Sequence, residues 1–114
     1  MSSLSVKIVF SDFDGTLTDL DGSLSNHFMS VLSFLRKKGI PLSIVTGRSL
    51  SWGHFFLTHF PQIDSVICEG GGVILFRDLN ERMVEENLVL EEDCSLLEKV
   101  ASELVSSFDC SLSL

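Results

Sequence analysis

The chain has 114 residues, of which 45% are hydrophobic, so it can form one small domain with a buried core and is not a disordered chain. Its formal net charge of −8 argues against nucleic acid and anionic membranes as partners, because phosphate groups attract basic surfaces. No apolar run approaches the length that spans a bilayer, and the first residues lack the pattern of a secretory signal, so we expect neither a membrane span nor a leader.

The first predicted element is a strand over residues 6–11, which two aspartates follow. The run Ile8–Phe10 is β-branched and aromatic, which predicts a buried strand. Residues i and i+2 of an extended chain point the same way, so Asp12 and Asp14 start on one side. Two neighbouring carboxylates repel each other unless a cation or a shared proton lies between them. An all-oxygen site of this kind favours Mg²⁺.

The segment Asp12–Thr18, of sequence DFDGTLT, resembles the first motif of the haloacid dehalogenase superfamily of phosphohydrolases. The resemblance implies that Asp12 is a nucleophile that becomes phosphorylated and that Asp14 is the general acid and base. It also implies that Asp12 and the main-chain carbonyl of Asp14 bind Mg²⁺. The implied fold is α/β, with a Rossmann-like core in which helices flank a parallel sheet.

A flap and a helix are predicted next. Turn residues over 18–24 predict a small flap or hairpin beside the aspartates. Ser25 is a plausible N-cap for a helix that ends near Lys38. Four apolar positions of this helix follow helical spacing: Phe28, Val31, Leu32 and Leu35.

A second strand is predicted over residues 40–45, and the tripeptide Thr46-Gly47-Arg48 follows it directly. A hydroxyl at the carboxyl end of a strand can hydrogen-bond a phosphoryl oxygen. Thr-Gly-Arg is the form common in the branch that resembles the Cof-type sugar-phosphate phosphatases. The resemblance implies that Thr46 binds the phosphoryl group, with Gly47 and Arg48 in the same phosphate-binding segment.

A helix from Ser49 or Ser51 to about Phe60 precedes a third predicted strand over residues 65–68. This alternation of strands and helices argues for a parallel sheet with right-handed crossovers, and ligand sites in such sheets lie at the carboxyl ends of the strands.

A glycine run interrupts the chain before a further strand over residues 73–76. The segment Cys68–Ile74 also resembles the Cof-type branch, with Gly70 in the place of an Asn. We favour a tight turn for Gly70–Gly72, although backbone N–H groups in such a run could cradle an anion.

The last part of the chain resembles the beginning of a cap domain. Residues 77–90 predict a β-segment that leaves the core, followed by a helix over 91–108 and a strand over 111–114. Cof-like proteins insert an α/β cap between their second and third motifs. We therefore divide the chain into residues 1–83, the N-terminal part of the core, and residues 84–114, the beginning of a truncated cap.

Two motifs of the family are missing from the sequence. The third motif needs a Lys or Arg and the fourth supplies acidic ligands for Mg²⁺, but Lys99 is the only basic residue after Arg82. The chain therefore resembles an N-terminal fragment or a truncated form, and we expect it to have little or no phosphatase activity alone. Half a sheet would leave an exposed edge, which favours self-association.

The resemblance implies an Mg²⁺-dependent phosphatase that hydrolyses a small phosphorylated metabolite, such as a sugar phosphate, through an aspartyl-phosphate intermediate. A phosphomutase of the same superfamily shares these front motifs and stays open. A catalytically inactive fragment or binding module stays open too, because the late motifs are absent.

The number and spacing of the cysteines indicate the cellular compartment. The three cysteines are widely spaced and match neither a zinc pattern nor a disulfide framework, which predicts a cytoplasmic protein. Cys68, in a predicted strand, is expected to be a small buried hydrophobe.

Overall fold

The structure is a computed structural model that describes residues 5–108. Its five strands are β1 (Val9–Asp12), β2 (Leu42–Val45), β3 (Ser65–Cys68), β4 (Val73–Arg77) and β5 (Met83–Asn87). The α-helices in this part of the chain are α1 (Phe28–Lys37), α2 (Leu50–His59) and α3 (Glu91–Ser107).

All five strands form one sheet in the order β1-β2-β3-β4-β5. The first three strands are mutually parallel, as the alternation of strands and helices predicts. The last two are antiparallel to their neighbours, so the sheet is mixed. The reversal occurs in a single 3₁₀ turn over Glu69–Gly71, where Gly70 and Gly71 have φ of 66° and 101°. This confirms the tight turn predicted for the glycine run.

The core joins the sheet to α1 and α2. Its buried apolar residues are Phe13, Phe28, Leu32, Leu35, Leu42, Ile44, Phe56, Leu57, Ile63, Val66, Cys68 and Leu75. Cys68 is fully buried, as expected, and burial raises the pKa of its thiol.

Strand β1 is less buried than the sequence predicts. Residues 6–8 lie outside it, and Ile8 and Phe10 are 42% and 58% exposed. The reason is its position: β1 pairs with β2 on one side and is an edge strand in the described sheet. A run of apolar residues indicates burial only where neighbours cover both faces.

Helix α1 begins at Phe28, not at Ser25. The Ser25 N–H donates to the Leu17 carbonyl at 3.0 Å, and its hydroxyl accepts from the His27 N–H at 3.3 Å, so Ser25 belongs to the base of the flap. His27 occupies the N-cap position and makes no side-chain cap bond. Of the four apolar positions with helical spacing, Phe28, Leu32 and Leu35 are buried, whereas Val31 is 43% exposed.

Helix α3 presents its apolar stripe to solvent. The exposed residues of this stripe are Leu96, Leu97, Val100, Leu104, Val105 and Phe108. The predicted domain boundary between residues 83 and 84 falls inside β5, which continues the sheet, and this division stays a prediction. The strand predicted over 111–114 lies outside the described residues. No helix between residues 5 and 108 combines the length and apolar character needed to cross a bilayer.

Candidate active site

The two sequence motifs meet at one edge of the sheet. Asp12, the last residue of β1, lies in register with Val45, the last residue of β2. Because the two strands are parallel, Thr46 continues β2 at the same edge at which Asp12 ends β1. The structure thus brings the predicted nucleophile and the predicted phosphoryl-binding hydroxyl to neighbouring strand ends.

Phe13 anchors the loop between the two aspartates. Its ring is buried, with its centroid 4.6 Å from that of Phe56 in α2. Asp12 and Asp14, which flank it in the sequence, are both exposed. The Phe13 N–H donates to Asp12 Oδ1 at 2.9 Å, which holds that carboxylate against the backbone. Gly15, at φ 77°, turns the chain away directly after the second aspartate.

Asp14 is held by Arg48 in a two-point ion pair. Arg48 Nε donates to Asp14 Oδ2 at 2.9 Å, and Arg48 Nη2 donates to Oδ1 at 2.5 Å. These hydrogen bonds from Arg48 hold the pKa of Asp14 below its usual value of 3.8, and the partner raises the pKa of Arg48. Asp14 is therefore held as a carboxylate by its pairing with Arg48.

Aromatic rings support the Arg48 guanidinium. Its Cζ lies 4.1 Å from the centroid of Trp52 and 5.3 Å from that of Phe13. Such cation–π contacts orient a guanidinium beside an exposed site. The Trp52 ring also packs on Phe55 and Phe56, at centroid distances of 5.5 and 6.0 Å. Its contact with Arg48 adds a role that no spacing rule indicates.

Thr46 is fixed by its own backbone and by the turn that follows. The side chain is buried, and the Thr46 N–H donates to the Ile67 carbonyl at 2.8 Å. Its hydroxyl oxygen accepts from the Arg48 N–H at 3.1 Å, so its own O–H can still be donated to a ligand. Gly47, between them, is exposed.

Sequence reasoning misses one residue that the structure places against this segment. Glu69 Oε1 accepts from the Leu50 N–H at 2.7 Å, and the Glu69 N–H donates to the Arg48 carbonyl at 2.8 Å. The sequence signal is the segment Cys68–Ile74, which resembles the Cof-type branch and contains Glu69, but that resemblance assigns no role to this residue.

The predicted flap is present. Thr18 and Leu24 form an antiparallel bridge, and the Asp19 N–H donates to the Ser23 carbonyl at 2.7 Å. Asp21 accepts hydrogen bonds from the hydroxyl and N–H of Ser23, which lower the pKa of Asp21. No three His, Cys, Asp or Glu side chains within residues 5–108 come together as a metal cluster.

The comparison with protein families is decisive for the fold. A sequence model of the haloacid dehalogenase-like hydrolases matches residues 9–111, nearly the whole chain. The chain belongs to this family. The family membership that the aspartate motif predicts is thereby confirmed.

Two relatives of this hydrolase chain are named phosphoglycolate phosphatase. The one from Methanopyrus kandleri is 32% identical over 97 residues, which cover 85% of this chain and 40% of the relative. The one from Methanobrevibacter smithii is 27% identical, with coverage of 88% and 44%. The chain thus spans about two fifths of the length of the relatives it matches.

A solved structure confirms the α/β class of this haloacid dehalogenase-like chain. A phosphatase of the superfamily from Bacteroides thetaiotaomicron superposes with a TM-score of 0.60 at 25% identity. The match covers 87% of this chain and 36% of the solved one. The mixed sheet with flanking helices is therefore the Rossmann-like core of the family, matched over part of its length.

Proposed function

We propose that this chain is the front part of an Mg²⁺-dependent phosphatase that hydrolyses a small phosphorylated metabolite through an aspartyl phosphate. The observation that supports the proposal is the register of β1 with β2, in which Asp12 pairs with Val45, so that Asp12 and Thr46 both lie at the carboxyl edge of the sheet. A carboxylate nucleophile beside a hydroxyl donor is what in-line transfer of a phosphoryl group requires.

The chemistry has two steps. In the substrate complex, where Arg48 has left Asp14 for the phosphoryl group, Asp14 holds a proton taken from solvent. An Asp12 carboxylate oxygen attacks phosphorus, the bond from phosphorus to the ester oxygen breaks, and Asp14 gives that oxygen its proton. Asp14 then takes a proton from water, which attacks the aspartyl phosphate and releases inorganic phosphate. Thr46 and Arg48 donate hydrogen bonds to the phosphoryl oxygens, so that Arg48 exchanges Asp14 for the substrate anion.

The donor set fits Mg²⁺ in kind. The Asp12 carboxylate and the Asp14 main-chain carbonyl are oxygen ligands, and Asp12 Oδ1 already accepts from the Phe13 N–H. Mg²⁺ often takes only one or two carboxylates from a protein and keeps several waters. When bound, the ion would offset the negative charge of the phosphoryl group.

The substrate class comes from the resemblance and the relatives. A sugar phosphate is the class that the Cof-type motifs imply. Two relatives named phosphoglycolate phosphatase make phosphoglycolate the second substrate to test, and they favour a phosphatase over a phosphomutase. A cytoplasmic location is part of the proposal and rests on the cysteine pattern.

Trifluoroberyllate, which mimics a phosphoryl group on a carboxylate, tests the nucleophile without needing turnover. With Mg²⁺ we expect a protein-bound ¹⁹F signal from the chain and none from Asp12→Asn. Asp19→Asn, an exposed aspartate of the flap, is the matched control and should keep the signal. A bound signal that survives Asp12→Asn would show that Asp12 is not the nucleophile.

A further inference from the structure

We infer that Glu69 is a positioning residue, which holds the turn after β2 from the neighbouring strand and thereby keeps Arg48 at the phosphoryl site. The assignment of Arg48 to phosphate rests on the proposed function. The mechanical part of the inference, that Glu69 fixes Arg48, rests on the contacts alone.

Glu69 makes two hydrogen bonds to the turn between β2 and α2. Its N–H donates to the Arg48 carbonyl at 2.8 Å, and its Oε1 accepts from the Leu50 N–H at 2.7 Å. Leu50 is the first residue of α2, where an N–H has no acceptor inside the helix. Ser49, the N-cap, makes no side-chain cap bond, so Glu69 supplies this cap from a residue 19 positions away.

The negative charge of Glu69 is favourable at the N-terminus of α2. A carboxylate at the N-terminus of a helix interacts favourably with the helix dipole. The hydrogen bond also joins two elements, since Glu69 directly follows β3 and Leu50 opens α2. The turn between Thr46 and Leu50 is therefore held from β3 as well as from β2.

The backbone at Glu69 adopts a conformation that glycine adopts more readily. Its φ is 54°, in the left-handed region that favours glycine. A non-glycine residue keeps such a conformation only where the surrounding structure over-determines it. Gly70 and Gly71 follow at once with positive φ, so a glycine at 69 would suit the turn better.

Arg48 is part of the turn between β2 and α2. The Arg48 N–H donates to Thr46 Oγ1 at 3.1 Å, while the guanidinium reaches Asp14 and lies over Trp52. Loss of the hydrogen bond between the Glu69 side chain and the Leu50 N–H would leave the turn held only at the Arg48 carbonyl and let the guanidinium leave both neighbours. The chain contains a single Trp, so the environment of Trp52 reports this movement directly.

The test compares Glu69→Gly, which removes the carboxylate and relieves the backbone, with Glu69→Gln, which keeps the acceptor oxygen. We follow the Arg48 Nε–H signal by NMR and the quenching of Trp52 fluorescence by acrylamide. In Glu69→Gly we expect about fivefold faster exchange of the Arg48 Nε proton, the size of effect that a lost helix cap has. Glu69→Gln should stay close to the original chain, and Glu98→Gly in α3 is the control for losing a remote glutamate.

A second variant removes the donor of the hydrogen bond between the Leu50 N–H and Glu69 Oε1. Leu50→Pro removes the N–H at a position where helices accept proline, and Ser49, at φ −68° and ψ 165°, already has the conformation that a following proline needs. It should loosen Arg48 as Glu69→Gly does, and the double variant should be no looser than either. Unchanged Arg48 exchange and Trp52 quenching in both single variants would overturn the inference.

Inorganic phosphate separates this inference from the proposed function. With Mg²⁺ present, phosphate should shift the Thr46 and Gly47 amide signals, and the affinity should fall about fivefold in Glu69→Gly and stay unchanged in Glu69→Gln. If the original chain binds no phosphate, the proposed function fails while the Arg48 exchange rates still decide the role of Glu69. If phosphate binds equally to all variants, the positioning role is wrong and the proposed function stands.

Discussion

At the scale of single residues, the pairing of Asp14 with Arg48 is the feature with most consequence. The sequence suggests Arg48 as a ligand for a substrate anion, and in the structure it binds the carboxylate of the predicted acid and base. Both roles suit a guanidinium, which binds carboxylate and phosphate in the same two-point geometry. A phosphoryl group that draws Arg48 away would let the pKa of Asp14 rise as the leaving group needs a proton.

We therefore expect Arg48→Ala to raise the pKa of Asp14 toward its ordinary value, measured from the carboxyl ¹³C shift during a pH titration. The lowered pKa means that the ion pair stabilises the fold above the ordinary value of 3.8, and that this stabilisation is lost as pH falls through the folded pKa. Arg36→Ala, at the end of α1, is the control and should leave the Asp14 titration in place. If Arg48→Ala left the pKa of Asp14 unchanged, the ion pair between Arg48 and Asp14 would be contradicted.

Site residues differ in how far the sequence reveals them. Asp12, Asp14 and Thr46 can be picked out because they lie at or within a few residues of the ends of apolar runs that predict strands, and parallel strand ends meet. Glu69 cannot be picked out this way. Its partner Leu50 is 19 positions away, and no local pattern encodes a cap that comes from another element.

At the scale of elements, α2 determines the geometry of the site. Phe56 is fully buried and packs against the ring of Phe13, which separates the two aspartates. Gly53 lies against the sheet, where a Cβ would be in ordinary van der Waals contact with Leu75 Cδ2 at 3.4 Å and Cys68 Sγ at 3.5 Å. The helix therefore fixes the aspartate loop by packing, and the turn before it carries Arg48.

Phe56→Ala is expected to lower the free energy of unfolding by about 3–5 kcal/mol, because a buried ring leaves a cavity that the surroundings only partly fill. Phe55→Ala is the matched control, since that ring is 43% exposed and should cost less than about 1.5 kcal/mol. Urea denaturation followed by circular dichroism gives both values. Equal losses for the two variants would show that the ring contact with Phe13 does not hold the loop.

Element boundaries depend on contacts that periodicity does not contain. Helix α2 ends near Phe60 as predicted and has Ser49 as its N-cap. The N-cap of α1 is His27, two residues later than the predicted Ser25, because Ser25 hydrogen-bonds within the flap. A serine thus occupies the N-cap position of α2 but not that of α1, according to what the preceding chain is bound to.

At the scale of the whole molecule, the exposed apolar surface is the main feature. Strand β1 is an edge of the described sheet, and Phe10 on it is 58% exposed. An edge strand offers unpaired N–H and C=O groups, and apolar side chains beside them favour pairing with another strand. We propose that a second copy of this chain pairs with β1, the self-association that the sequence suggests.

Light scattering after gel filtration tests the proposal. The chain should be dimeric at micromolar concentration, and Phe10→Lys should make it monomeric, since a charged side chain blocks pairing at an edge. Phe34→Lys in α1 is the matched control, because Phe34 is 57% exposed and lies away from the edge. A monomeric original chain, or a dimer that Phe34→Lys also breaks, would contradict pairing through β1.

The chain alone is expected to release little or no phosphate from an aryl phosphate with Mg²⁺, at least about 10³-fold less than the Methanopyrus kandleri phosphatase. The reason is that nothing after Arg82 except Lys99 could offset the charge of Asp12 and the phosphate. Asp12→Asn is the control that separates weak catalysis from contamination. Clear Mg²⁺-dependent turnover that Asp12→Asn abolishes would show that the front motifs are sufficient.

The sequence by itself determined the family, the order of strands and helices, and the positions of Asp12, Asp14 and Thr46, because these depend on local runs and short spacings. Only the tertiary structure decided that Phe10 is exposed, that Arg48 binds Asp14 and that Glu69 caps α2. Each of these depends on which elements become neighbours in space. Burial and side-chain pairing depend on that arrangement, and the periodicity of the sequence does not encode contacts between residues that are far apart in the chain.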